Sequence, residues 1–542
     1  MREKTPLPQC CSALSSQALS FCTGVIDASG VAERIEAALS RSTGRRRSLH
    51  VRALLVALLC LAIDDRPLHL KAATKLLFSG LDATWREELG VVGKADDKRT
   101  FLARYRQVRY LFHLVISVVD PSWEPKDRLL RQDELIQRRK PLSEQELGAR
   151  RRRLLETIND LLTASVKVCS DDELQAFDGS VGLDATPVPL WSRGPSVRGG
   201  TCASDPDGGW YVREGDHREL EGPKGKKFTK VAWALEATIV TMGRAPRSEP
   251  AHPNLAIGLC LGRPGEDPAG TGAELLGQVR ARGWPARYLG ADRGYSQGLP
   301  ERFHLPARFL GYSLVMDYKA QDLGRQANSQ GAVLVDGAFY CPAMPEALVT
   351  ASADRRAGAI DEATYKARIA ARANWRLSRK AGPDQDGYER FSCPALGHNP
   401  RLCCPARNKA RALGKVPVLF PPKVPPKICT QETITIAPDV GARWRQDLAF
   451  GSERWASTYA SYRNTIEGLN GFAKDPAHEA LSAPGRRRVR GIAAQSIFVT
   501  LLLMAANFRK IFAFREMRAD GTSRQIAQRA RHRRTTLASY RC

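Results

Sequence analysis

The sequence predicts a mixed α/β protein, in which a core built on a mixed sheet is interrupted by an insertion domain and preceded by an all-α N-terminal domain. Three observations predict it. Apolar residues recur at helical spacing over residues 31–167. Near Cys169 they give way to short apolar or β-branched runs bounded by Gly and Pro. Composition shifts again over 301–443, and helical periodicity returns over 444–515.

Each element follows from its residues. Residues 1–30 mix Ser, Pro, Cys and Gln and read as a disordered tail. In the helical region, 32–39 is amphipathic, 51–63 is apolar throughout, and 68–77 follows an Asp-Asp-Arg-Pro break. Stretches 101–119 and 133–162 complete it. Residues 180–188, 231–242 and 254–261 read as strands, 270–282 as a helix and 286–292 as a further strand. The order is β-β-β-α-β over 168–300, with Asp184 and Asp292 at the carboxyl ends of the first and last strands, where ligands usually bind. The insertion brings a strand at 310–318, a charged helix at 360–380, a Cys-rich patch and a Pro-rich linker at 417–426. The final helices of the core occupy 444–515, and 516–542 is a basic tail.

Lys and Arg number 83 against 57 Asp and Glu, a formal charge of +26. Such self-repulsion is tolerated most easily beside a polyanion. The basic residues are not gathered on one amphipathic helix, so nucleic acid is the better-supported partner and a membrane surface the unsupported one. No run reaches the ~18–20 apolar residues of a bilayer-spanning helix. The best, 53–63 and 497–506, are short and flanked by Arg and Lys, as buried helices are. The start lacks the basic-then-apolar pattern of a secretory leader. The expectation is a cytoplasmic protein whose thirteen cysteines stay reduced and free for a metal.

Three acids carry the chemistry. Asp184 and Asp292 end strands, and Glu467 lies in Arg463-Asn464-Thr465-Ile466-Glu467-Gly468-Leu469-Asn470-Gly471-Phe472-Ala473-Lys474. At ~100° per residue, Arg463, Glu467, Asn470 and Lys474 fall within about 60° on one helix face. Ile466, Leu469 and Ala473 form the adjacent apolar stripe that docks the helix. Each acid also fits an ordinary role. Asp184 before Ala-Thr-Pro and Asp292 before Arg-Gly suit turns, and Arg463 with Glu467 suits a surface pair worth ~0.3–0.5 kcal/mol. Asp178 competes with Asp184 for the first position. Together, carboxylates flanked by cations suit phosphodiester chemistry. Mg²⁺ takes one or two carboxylates and completes its shell with water and phosphate. Two such ions about 3.5–4 Å apart serve both attacking and leaving oxygens. Arg463, Asn470 and Lys474 would hold the DNA phosphates.

At this point the chain resembles the DDE transposases of bacterial insertion sequences, which have an RNase H-like catalytic core. The resemblance covers roughly residues 178–295 and the Arg463-x3-Glu467-x6-Lys474 signature of one branch. That branch has a Tyr three positions before the Arg; here Ala460 stands there, between Tyr459 and Tyr462. The resemblance implies that Asp184, Asp292 and Glu467 are the catalytic triad and ligands of two Mg²⁺ ions, or Mn²⁺ in their place. It implies metal-dependent DNA cleavage at element ends, strand transfer to target DNA, and a homodimer in a synaptic complex. The alternatives are an RNase H-like nuclease without strand transfer and a non-catalytic DNA-binding descendant.

Cys341, Cys393, His398, Cys403, Cys404 and Cys429 fall in the insertion, and Cys393-x4-His398-x4-Cys403-Cys404 has the ligand types a structural Zn²⁺ prefers. The expected set is Cys341, Cys393 and Cys404, with Cys429 or His398. Packed, reduced thiols are the other reading. The helix–break–helix at 51–77 fits either a DNA-reading helix-turn-helix or a buried hairpin. Basic clusters at 150–153, at Arg486, Arg487, Arg488 and Arg490, and at 529–534 would track phosphates, giving duplex binding that weakens steeply with salt.

Overall fold

The computed structural model describes residues 16–40, 47–122, 124–126, 129–139, 141–195, 202–214, 229–244, 246, 250–295, 298–407 and 419–519. The cluster at 529–534, most of the basic tail and the first part of the N-terminal tail lie outside the described residues. The chain is mixed α/β, and its described residues form one six-stranded mixed sheet and two small three-stranded sheets.

Helices come first: α1 (Ser16–Ala28), α2 (Val31–Leu39), α3 (Val51–Ile63), α4 (Leu70–Lys75), α5 (Ala83–Glu88), α6 (Lys98–Val119), α7 (Gln132–Gln137), α8 (Glu144–Val166) and α9 (Asp171–Gln175). α1 corrects the expectation of a disordered tail. Leu19, Cys22, Val25 and Ile26 stand at helical spacing and are buried in the main core. The interleaved Ser and Gln disguise this stripe. The segment expected as one helix over 133–162 is two. Pro141 interrupts it, and Ser143 starts α8 by accepting the Glu146 N–H at 3.2 Å. Nearly every residue of α3 is buried, so α3 itself leaves no face for a DNA groove.

The sheet then forms from β1 (Val181–Pro189), β2 (Gly209–Glu214), β3 (Thr229–Met242) and β4 (Ala256–Gly262). After α10 (Pro268–Ala281) come β5 (Tyr288–Ala291), α11 (His304–Phe309) and β6 (Ser313–Val315). β3 pairs antiparallel with β1 on one side and with β2 and β4 on the other; β1–β5 and β5–β6 are parallel. β6 therefore belongs to the core sheet, and the insertion begins after it rather than at 301. β1 also outruns its expected end. Past Leu183 it has lost β5 as a neighbour and is an edge, where Pro187 and Pro189 are tolerated. Asp184 thus sits mid-strand, where β1 and β5 part.

The insertion holds β7 (Arg325–Ser329), β8 (Ala332–Val335) and β9 (Ala338–Tyr340), then α12 (Glu346–Val349), α13 (Ala351–Arg356) and α14 (Glu362–Trp375). β10 (Ser378–Ala381), β11 (Glu389–Ser392), α15 (Lys427–Thr430) and β12 (Ile434–Ile436) complete it. The helix expected over 360–380 stops at Trp375, and Ser378 opens β10. Two small buried clusters serve this region, apart from the main core. Among the described residues the main core runs without a break from α1 to the closing helices, and the N-terminal helices share it.

The chain closes with α16 (Glu453–Lys474) and α17 (Ile492–Ala519). α17 is long and apolar enough to cross a membrane, against the expectation that no stretch would be. Yet 78% of its apolar window is buried, against α8, α3 and β4. It has the all-round apolar character of a core helix.

Candidate active site

β1 and β5 run parallel with Gly182 opposite Gly290 and Leu183 opposite Ala291. The next residue along each chain segment is the acid, Asp184 within β1 and Asp292 just past the end of β5. α16 lies across β1, β3 and β5, and its approach depends on the two paired glycines. A Cβ on Gly290 would fall 2.7 Å from the Tyr462 Cβ, and one on Gly182 would fall 3.0 Å from the Tyr462 carbonyl oxygen. Ile466, Leu469 and Ala473 are buried beneath the helix, as their spacing predicts.

Seated this way, α16 turns Tyr459, Arg463 and Glu467 into the cleft that Asp184 and Asp292 also line. Three acids from three separate elements meet there. Asp184 is half-buried and Asp292 exposed. Glu467 accepts a hydrogen bond from Arg463 Nε at 2.7 Å, in a pair where both side chains are roughly half exposed. Asp292 is fixed by the Arg293 backbone N–H at 2.6 Å. Asn470, buried on the same helix, donates to Asp184 Oδ2 at 3.1 Å, while its own Oδ1 is buried without a partner.

Burial pushes the Asp184 carboxyl up to about 6. The charges of Asp292 and Glu467 add to that push, while the Ala185 amide and Lys474 act against it. Crowded like charges around a partly desolvated carboxylate, beside an unsatisfied amide oxygen, form a donor set that a hard divalent cation suits. As placed, no three His, Cys, Asp or Glu side chains among the described residues converge into a closed ion cage.

The sequence alone leaves Tyr459 undecided; the structure places it. It stacks on Trp455 with ring centroids 5.4 Å apart and lines the cleft, whereas Tyr462 packs over the glycines. Its spacing is the available signal: 459, 463 and 467 are successive steps of four on one helix face. Asp178 is not part of the site. It precedes β1, accepts from the Ser180 N–H at 2.8 Å and pairs with Arg287 at 2.5 Å.

The basic clusters divide. Arg150 and Arg153 share Glu146, and Arg151 pairs with Glu274, so two carboxylates offset half of the four positive charges at 150–153. Arg487 is wholly buried and donates to the Leu481 and Pro189 carbonyls at 3.0 and 3.3 Å; it cannot contact DNA. Arg486 is half-buried and donates to the Asp65 carbonyl. Arg488 and Arg490 are exposed and line a groove with Tyr105, Arg109, Trp191 and Arg193, with the Arg488 guanidinium 4.2 Å from the Trp191 ring centre. In the cysteine patch, Cys341, Cys393, Cys404 and Cys429 are buried, Cys403 is half-buried and His398 is exposed.

Comparison with family models, with curated proteins and with solved structures finds no match.

Proposed function

We propose that the protein is a DDE transposase with an RNase H-like core, cutting DNA at the ends of its element and joining them to target DNA. The observation that carries the reading is the meeting of Asp184, Asp292 and Glu467, from β1, β5 and α16, in one cleft beside Arg463. The sheet order β4-β3-β1-β5-β6, antiparallel for the first three strands and parallel for the last two, supports an RNase H-like core. The net charge of +26 supports a DNA partner.

In this reading Asp184, Asp292 and Glu467 would hold two Mg²⁺ or Mn²⁺ ions. When bound, these supply Lewis-acid polarisation of the phosphodiester and lower the pKa of water. The chain's own residues do the rest. Asn470 fixes the Asp184 carboxylate, Arg463 turns from Glu467 to a phosphate oxygen, and Lys474 adds positive charge close to Asp184. Water attacks first and frees a 3′-hydroxyl; that hydroxyl then attacks the target strand, so one constellation serves both steps. Handling two element ends together calls for a homodimer in a synaptic complex.

Asp292→Ala tests it. Nicking of duplex DNA carrying the element's ends is expected to fall by about 10³-fold or more, the equivalent of several kcal/mol of charge stabilisation. Duplex binding should persist in a gel-shift assay. Retained cleavage removes Asp292 from the site. Strand transfer from a pre-cut end separates a transposase from a nuclease that only hydrolyses.

A further inference from the structure

The insertion repeats one short motif three times: Cys341-Pro342-Ala343-Met344, Cys393-Pro394-Ala395-Leu396 and Cys404-Pro405-Ala406-Arg407. Each folds as the same turn, with the fourth residue's N–H donating to the cysteine carbonyl at 3.0, 3.0 and 2.9 Å. Proline at the second position presets φ and carries no N–H of its own. The third residue's amide is then free to aim back at the sulfur, as the Ala343 amide does at Cys341 and the Ala395 amide at Cys393.

These turns stand at matched places. Cys341 directly follows β9 and Cys393 directly follows β11, so each of the two small sheets sends one strand end to the same point. Cys341, Cys393 and Cys404 share one buried cluster with Trp375 and Leu402. Cys429 arrives from α15, its N–H donating to the Pro426 carbonyl at 2.8 Å, and lies within electrostatic reach of Cys393 and Cys404. The clusters beneath these sheets are small, which is where a metal staple contributes most to stability.

We propose that Cys341, Cys393, Cys404 and Cys429 bind one Zn²⁺ as a closed four-thiolate structural site joining the two small sheets of the insertion. Four thiolates complete a tetrahedral shell and leave no open position for catalysis. Each thiol gives its proton to solvent as its sulfur binds. The sulfurs as placed do not form a closed cage, so ligation has to draw them together. This site does not depend on the reading of the catalytic cleft.

The test is zinc content of the purified full-length chain by mass spectrometry. One zinc per chain is expected, lost in Cys341→Ser and in Cys429→Ser and kept in Cys403→Ser and His398→Ala. Exchange into Co²⁺ guards against variants that fail to fold. The unsubstituted chain should show the intense visible bands and sulfur-to-metal charge transfer of tetrahedral cobalt thiolate. A chain grown with zinc that carries none, zinc retained in both Cys341→Ser and Cys429→Ser, or the weak spectrum of octahedral cobalt would overturn the proposal.

Discussion

Asn470 donates a 3.1 Å hydrogen bond from Nδ2 to Asp184 Oδ2, joining a helix to a strand across 286 positions of sequence. In the proposed reading the bond fixes the direction in which Asp184 presents its carboxylate to a cation. Support of this kind around a liganding carboxylate is typically worth about 10–100-fold in metal affinity or activity. Asn470→Ala should therefore slow nicking by about that factor and raise the Mg²⁺ concentration needed for half-maximal rate. A residue that only packed α16 would leave the Mg²⁺ dependence unchanged. A metal titration of the nicking rate, with circular dichroism to check the fold, distinguishes the two.

The raised pKa of Asp184 gives a pH dependence with a defined sign. Its carboxyl titrates at about 6 in the folded chain, chiefly because of burial, against an ordinary value of 3.8. The folded state thus binds more protons than the unfolded state between those values, and stability falls as pH rises through that window. Below it the group is protonated in both states and the penalty vanishes. Asp184→Asn should raise the thermal midpoint at pH 7.5 and change it little near pH 4, while abolishing nicking. In the unsubstituted chain, nicking should decline as pH falls below about 6, because the protonated carboxyl no longer ligates, and added Mg²⁺ should shift that decline to lower pH. A midpoint difference that is the same at both pH values would mean that Asp184 is not crowded.

How far the site can be read from sequence follows from how local each signal is. The Arg463–Lys474 face is legible because a helix converts spacing directly into direction. The strand positions of Asp184 and Asp292 are legible in order but not in detail. That Asp184 stands where two parallel strands part depends on β5 stopping at Ala291, a partnership between residues far apart in the chain. The placement of Tyr462 over Gly182 and Gly290, which decides that Tyr459 faces the cleft, is also tertiary. Charge clusters are the least legible. Arg487 and Arg488 are neighbours of the same type, yet one is wholly buried and the other exposed, a division set by the carbonyls of Leu481 and Pro189.

That division makes a prediction of its own. Arg487 donates to two backbone carbonyls and to Gln495 Oε1 at 3.2 Å, and burial pushes its guanidinium down to about 10, with the charge of Arg486 adding to the effect. Arg487→Ala leaves those acceptors unsatisfied around a void and should cost about 2–4 kcal/mol of stability, read from the urea midpoint. Its effect on DNA affinity should follow only from lost folding. Arg488→Ala with Arg490→Ala should do the reverse. Stability should fall by about 1 kcal/mol, because the exposed Arg488–Trp191 contact and the Arg490 bond to the Lys126 carbonyl are lost. Duplex affinity should fall, and the slope of log K against log salt should shrink by about 0.9 for each phosphate that is no longer neutralised. An unchanged salt slope in the double variant would show that the groove beside Trp191 does not carry the DNA backbone.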